Sequence, residues 1–355
     1  MQTIKLRNKT LQVPIIQGGM GVGVSLGNLA GHVAKCGGMG VISTAHTGYR
    51  CDDFWQNFLE DNLTEIKNEI HKAKEIAGGN GMVGINVMVA LRYYDQMVKA
   101  AIEGGADAII SGAGIPLPAI VGDADIAIAP IVSSGKSARV ICQSWKKKHD
   151  RLPDFIVVEG SQAGGHLGFP MEELSENREQ TLEEIFQDVQ TVVKTFEEKY
   201  NVKIPVFVAG GVYTGYDVKK FTDMGAAGAQ IATRFIATHE CDASLAYKER
   251  YLNVKPEDIV LIKSTVGMPG RALRSPFVER LLRGEKEKIT RCLVCLRPCD
   301  PKVAAFCITT ALTEAAKGNW EDGLFFCGSN GYRMKEIVHV KDIIDEIMTE
   351  YQSGE

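Results

Sequence analysis

The chain has 355 residues, 45% of them apolar, so it can bury a large core as one α/β barrel with an appendage or as two small domains. Its formal charge of −4 gives no broad positive field for nucleic acid, and the run Lys146-Lys147-Lys148 reads as the solvated end of a helix. No stretch approaches the roughly 18 consecutive apolar residues that cross a bilayer, the N-terminus lacks a secretory layout, and nine Cys spread over a long chain read as reduced thiols. These features lead us to expect a cytoplasmic protein acting on a small molecule, with a homodimer as the base-rate assembly.

In chain order, eight short β-branched runs alternate with longer amphipathic stretches. The runs are 13–17 (VPIIQ), 40–44 (GVIST), 83–88 (VGINVM), 106–112 (ADAIISG), 126–132 (IAIAPIV), 155–160 (FIVVEG), 205–211 (PVFVAGG) and 228–233 (GAQIAT). Nearly all are apolar at both parities, which predicts strands covered on both faces, as in a closed parallel sheet wrapped by helices. Helices are predicted in YYDQMVKAAIEGG, SARVICQSWKKKH and TLEEIFQDVQTVVKTFEEKY, the last opening on a Thr181-x-x-Glu184 capping box. Gly104-Gly105 and Gly225 supply helix stops. After residue 234 the strand pattern fades. The reading is a (β/α)8 TIM barrel over residues 1–240, with a helical and loop-like appendage, 241–355, packed over its mouth as one structural unit.

In such a barrel the chemistry sits in loops that follow the strands, and there the unusual residues gather. The strands run into Gln17-Gly18-Gly19-Met20, Asn86, SGAG, Ser133-Ser134-Gly135-Lys136, Glu159-Gly160-Ser161-Gln162-Ala163-Gly164-Gly165-His166, Ala209-Gly210-Gly211 and Thr233-Arg234. A single glycine pair would mean only a tight turn, but glycines after strands 7 and 8 let main-chain N–H groups approach a phosphate. Gly210-Gly211 and Ala232-Thr233 stand in those places, so a phosphate-bearing ligand is expected. No G-x-G-x-x-G follows a strand with an acidic residue about 20 further on, which argues against a dinucleotide fold. His166 lies in a glycine-flanked loop able to bring an imidazole over a flat ligand, where it could exchange a proton or bond a nascent anion. The other six His lack such a setting.

The segment VEGSQAGGHLG resembles the signature of the nitronate monooxygenase (2-nitropropane dioxygenase) family and of its sister group, the flavin-dependent enoyl-acyl-carrier-protein reductase II. VPIIQGGMGVGVS, GINVMV, PVFVAGGV and GAAGAQIATRF are similar to the family's N-terminal strand and flavin-covering loop, third strand, phosphate strand and final strand; STVGMPGRALRS and GSNGYRMKEI extend the likeness. The resemblance implies bound FMN, with Gly19 and Met20 in the covering loop, and Asn86 and Glu159 in contact with the flavin. It further implies that Gly164 and Gly165 line the flavin, that Gly210 and Gly211 with Gln230, Ile231, Ala232 and Thr233 seat its phosphate, and that Lys136 offers a positive charge near the reduced ring. His166 matches the catalytic histidine. The implied reaction is oxidation of an alkyl nitronate with O₂ to a carbonyl compound and nitrite. The alternatives are an NAD(P)H-dependent enoyl-ACP or quinone reductase, and a non-catalytic flavin carrier. One departure is Ala232, where the family commonly has Gly before Thr-Arg-Phe.

Cys292, Cys295, Cys299 and Cys307 form C-x2-C-x3-C-x7-C. The pattern departs from the paired C-x2-C of structural zinc sites. It leaves open an iron–sulfur or soft-metal site, redox-active thiols, or buried thiols beside the mouth, and no residue is assigned as a metal ligand.

Overall fold

A computed structural model describes residues 1–354. An antiparallel ribbon, β1 (Ile4–Leu6) and β2 (Lys9–Leu11), precedes a closed barrel of eight parallel strands: β3 (Ile15–Gln17), β4 (Met39–Ser43), β5 (Met82–Met88), β6 (Ala108–Gly112), β7 (Ala127–Val132), β8 (Ile156–Glu159), β10 (Val206–Ala209) and β11 (Gly228–Ile231). Between β8 and β10, the two-residue strand β9 (Gly165–His166) belongs to a separate sheet described below. Each of the eight predicted runs meets a barrel strand to within two residues at either end. The short ribbon was not foreseen.

Two-sided apolarity is explained by where the parities go. Ile16, Val41, Ile110, Ala129, Val157 and Phe207 fill the barrel interior, while Ile15, Ile42, Ile109, Ile128, Ile156 and Val208 pack outward against the helices. Leu6 and Leu11 of the ribbon join the interior set, and Phe155 meets Phe207 edge-on at 5.7 Å, so apolar side chains fill the barrel.

Crossovers are made by α1 (Gly27–Lys35), α2 (Phe54–Ala77), α3 (Tyr94–Glu103), α4 (Gly135–His149), α5 (Met171–Ser175) with α6 (Leu182–Tyr200), and α7 (Gly215–Asp223); a 3₁₀ turn, Pro118–Val121, links β6 to β7. The capping box of α6 forms: Glu184 N–H donates to Thr181 Oγ1 at 3.3 Å and the Glu184 carboxylate accepts from Thr181 N–H at 2.8 Å. Beyond β11 come α8 (Leu245–Glu249), the hairpin β12 (Ile259–Lys263) and β13 (Pro269–Leu273), α9 (Pro276–Leu282), α10 (Ile308–Lys317) and α11 (Val340–Ser353).

Two features of this stretch depart from the helical and loop-like expectation. The hairpin β12–β13 pairs antiparallel with β9, so a strand pair from the C-terminal third closes over the loop that carries His166. Helix α11 packs between α7 and α1, the eighth helix position of the barrel. Arg234, directly after β11, ties it there: its buried guanidinium donates to Tyr213 O at 2.7 Å and pairs with Glu346 of α11. No helix among the described residues is long and apolar enough to cross a membrane.

Candidate active site

A cavity of about 300 Å³ opens at the C-terminal ends of the barrel strands, at the lower edge of the size usual for cofactor and ligand sites, about 300–1,000 Å³. Thirteen of the fourteen residues singled out from sequence line it: Gly19, Met20, Asn86, Glu159, Gly164, Gly165, His166, Gly210, Gly211, Gln230, Ile231, Ala232 and Thr233. Lys136 does not. It is exposed on the first turn of α4, and Ser133 at the end of β7 faces the cavity instead. Ser134 caps α4 by accepting from Ser137 N–H, and in the first turn that follows Gly135 is buried while Lys136 faces solvent.

One pole of the cavity is made of main chain. Gly210 and Gly211 hold φ of +82° and +104°, and a Cβ on them would stand 2.7 Å from Gly160 O and 2.8 Å from Gln162 Oε1. Only glycine fits this turn. Among the described residues no protein acceptor is found for the N–H groups of Gly211, Val212 or Thr233. Converging N–H groups left without acceptors are what a phosphate dianion requires. The methyl of Ala232 does not close the approach. Thr233 Oγ1 accepts from Gly328 N–H at 3.0 Å and Asn330 Nδ2 donates to Gly211 O at 2.7 Å, so GSNGYR supports this pole from outside.

The other pole is made of side chains. His166 Nε2 lies 2.8 Å from the Oγ of buried Ser264, and its ring meets Phe326 edge-on at 5.1 Å. Burial lowers its pKa to about 4, so the imidazole is neutral at pH 7. With Nε2 engaged, Nδ1 is the atom left for a ligand. Arg271 of β13 donates to Ala163 O at 2.8 Å and also to Ser161 O, clamping the glycine loop from beneath. Glu159 lines the same cavity, and burial raises its carboxyl to about 7. The Asn86 side chain makes no hydrogen bond to the protein among the described residues, while its main-chain O accepts from Thr44 Oγ1 at 2.9 Å.

Sequence reasoning missed Ser264, Met268 and Phe326 as parts of this wall, and Tyr213, Tyr247 and Gln162 as lining. The motif containing Ser264, STVGMPGRALRS, was noticed, but its pairing with the His166 strand is set by tertiary contact alone.

The sequence profile of the nitronate monooxygenase family matches residues 3–350. The chain belongs to that family. It is thereby an oxidoreductase, of the flavin-dependent kind. It is 23% identical over 293 residues to a probable nitronate monooxygenase of Staphylococcus saprophyticus, covering 76% of this chain and 78% of that one. A hydroxy-methyl-oxo-octahydroindene-carboxyl-CoA dehydrogenase of Mycobacterium tuberculosis is 26% identical over 284 residues, covering 78% of this chain and 68% of that one. Among solved structures, FabK from Thermotoga maritima superposes with a TM-score of 0.72 at 25% identity, over 96% of this chain and 93% of that chain. A nitroalkane oxidase from Streptomyces ansochromogenes shares the fold, with a TM-score of 0.71 at 19% identity over 96% of each chain.

Proposed function

We propose that this family member binds FMN, with its phosphate on the N–H groups of Gly211, Val212 and Thr233 and its ring system beside Asn86, Glu159 and His166, and that it oxidises alkyl nitronates with O₂ to a carbonyl compound and nitrite. Bound FMN would supply the acceptance of electrons from substrate and their delivery to O₂. The protein's part is to seat the phosphate, keep water from the closed wall and present Nδ1 of a neutral imidazole. The observation that carries the reading is the half-buried, neutral His166, held by Ser264 in the same cavity as the main-chain anion site. With Nε2–H donated to Ser264 Oγ, Nδ1 of the neutral ring is a free acceptor that can take the carbon proton of the parent nitroalkane, the step that yields the nitronate.

A second reading is favoured by the superposition with FabK and by the octahydroindene-carboxyl-CoA dehydrogenase relatives. In it the same cavity serves an NAD(P)H-dependent reductase of enoyl thioesters or quinones. One experiment separates the two. Flavin-loaded protein is offered NADH, NADPH and an alkyl nitronate in turn without oxygen, and the flavin absorbance is followed. Bleaching by the nitronate, with nitrite released on admitting air and lost in His166→Ala, is expected. Rapid bleaching by a nicotinamide and faster turnover on a crotonyl thioester would replace the first reading with the second.

A further inference from the structure

The 3₁₀ turn Ser329–Arg333 packs against the main-chain anion pole and is held there by several bonds. Gly328 N–H donates to Thr233 Oγ1 at 3.0 Å, Ser329 N–H donates to Gln162 O at 3.1 Å, and Asn330 Nδ2 donates to Gly211 O at 2.7 Å. Gly331 is buried, and a Cβ on it would stand 2.0 Å from Cys327 Sγ and 3.6 Å from Thr233 Cγ2. The turn therefore sits without a gap on the strand end that carries Thr233. Met334, which follows it, is buried as well, while the side chain of Arg333 between them is exposed. The backbone of Arg333 is thus fixed beside the pole and its side chain is free.

The Arg333 guanidinium lies over Tyr213, its Cζ 4.3 Å from the ring centroid. Tyr213 follows Gly211-Val212 and lines the cavity, so this cation rests on a residue of the cavity wall. A second guanidinium, that of Arg234, lies 4.8 Å from the same centroid. The two are not equivalent. Arg234 is buried and committed: it donates to Tyr213 O at 2.7 Å and pairs with Glu346, whose charge offsets its own. Among the described residues Arg333 has no side-chain hydrogen bond and no ion pair, so its charge is uncompensated and its N–H donors are open. The lining holds no other cation, since Arg234 is the only Lys or Arg in it. Main-chain N–H groups place a phosphate but carry no net charge, and a dianion seated on them alone would lack a counter-charge.

We propose that Arg333 is the counter-charge of this pole, and that it makes the site select a phosphorylated flavin over the same flavin without its phosphate. The inference rests on the FMN reading above and assigns to it a residue outside the lining. A guanidinium can keep its face on an aromatic ring while its N–H edge bonds an anion, and the unbranched stem of Arg333 lets that edge turn toward the N–H groups of Gly211, Val212 and Thr233. The glycine turn then sets the geometry of the phosphate and Arg333 supplies the charge. Because Arg333 stands behind Tyr213 and not in the lining, it makes no contact with the ring system. Riboflavin, which lacks only the phosphoryl group, reports every contact except the one assigned here.

The test is equilibrium titration of the flavin-free full chain with FMN and with riboflavin, read by flavin fluorescence. Arg333→Met keeps an unbranched stem on Tyr213 and removes the charge; it should bind FMN about tenfold more weakly and riboflavin within about twofold of wild type. Arg333→Lys restores the charge and should bring FMN back to within about threefold of wild type. Raising the salt from about 50 to about 500 mM should weaken FMN about fivefold in wild type and by less than about twofold in Arg333→Met. Equal FMN affinity in wild type and Arg333→Met overturns the inference. So does a parallel loss of riboflavin, which would mean that Arg333 merely holds the turn Ser329–Arg333 in place. Wild-type protein that takes up neither flavin defeats the FMN reading and the inference with it, whereas FMN uptake indifferent to Arg333 defeats the inference alone.

Discussion

At one pole of the cavity the contacts come from main chain of two neighbouring strands, Gly210-Gly211 after β10 and Ala232-Thr233 after β11. At the other they come from side chains, with His166 held by a serine 98 residues further along. The first pole is fixed by φ values and steric limits, and at Gly210 and Gly211 it admits no Cβ without displacement. The second depends on a hairpin docking correctly. A site can thus combine a rigid anchor, insensitive to packing elsewhere, with a chemical group whose protonation is set by how well a remote segment covers it.

The sharpest way to break this contrast is Gly211→Val, which puts a side chain at φ +104° and 2.8 Å from Gln162 Oε1. FMN should bind at least about a hundredfold more weakly, by equilibrium titration, with the fold retained by circular dichroism. Equal affinity would remove the main-chain anion site. Ser264→Ala acts at the opposite pole. It should leave FMN affinity unchanged and lower kcat by about tenfold, the size of one lost hydrogen bond of roughly 1–1.5 kcal/mol.

The same variant sharpens the pH behaviour. Burial depresses His166 to about 4, and the neutral form is the competent one, so activity is present above that value and lost as pH falls through it. The acidic limb of kcat/KM should lie well below 6.5 in the wild type and move upward in Ser264→Ala as water reaches the ring. A wild-type limb at 6.5 would refute a desolvated imidazole. Stability follows the same sign: His46 and His166 bind fewer protons folded than unfolded, so their contribution is full above 6.5 and lost as pH falls toward 4.

Smaller effects complete the series. Thr233→Val removes the acceptor of Gly328 N–H and should weaken FMN about fivefold, equivalent to about 1 kcal/mol. Lys136→Ala, on the exposed turn of α4, should change kcat and KM by less than about twofold. A large loss would restore that lysine to the site.

The eight barrel strands and the glycine turns could be read directly, because covering both faces of a strand makes both parities apolar, and because a turn with φ > 0 or a clash at Cβ admits glycine alone. These are local requirements, and local chemistry writes them into consecutive residues. Lys136, placed near the ring by resemblance, stands on the exposed first turn of α4 outside the cavity lining, a direction that helix register decides and a motif does not record. The hairpin over His166 and the placement of α11 as the eighth helix came only from the tertiary structure. Each joins segments far apart in the chain. What pairs such segments is the burial and hydrogen bonding available once the barrel has closed, and no spacing within either segment records it.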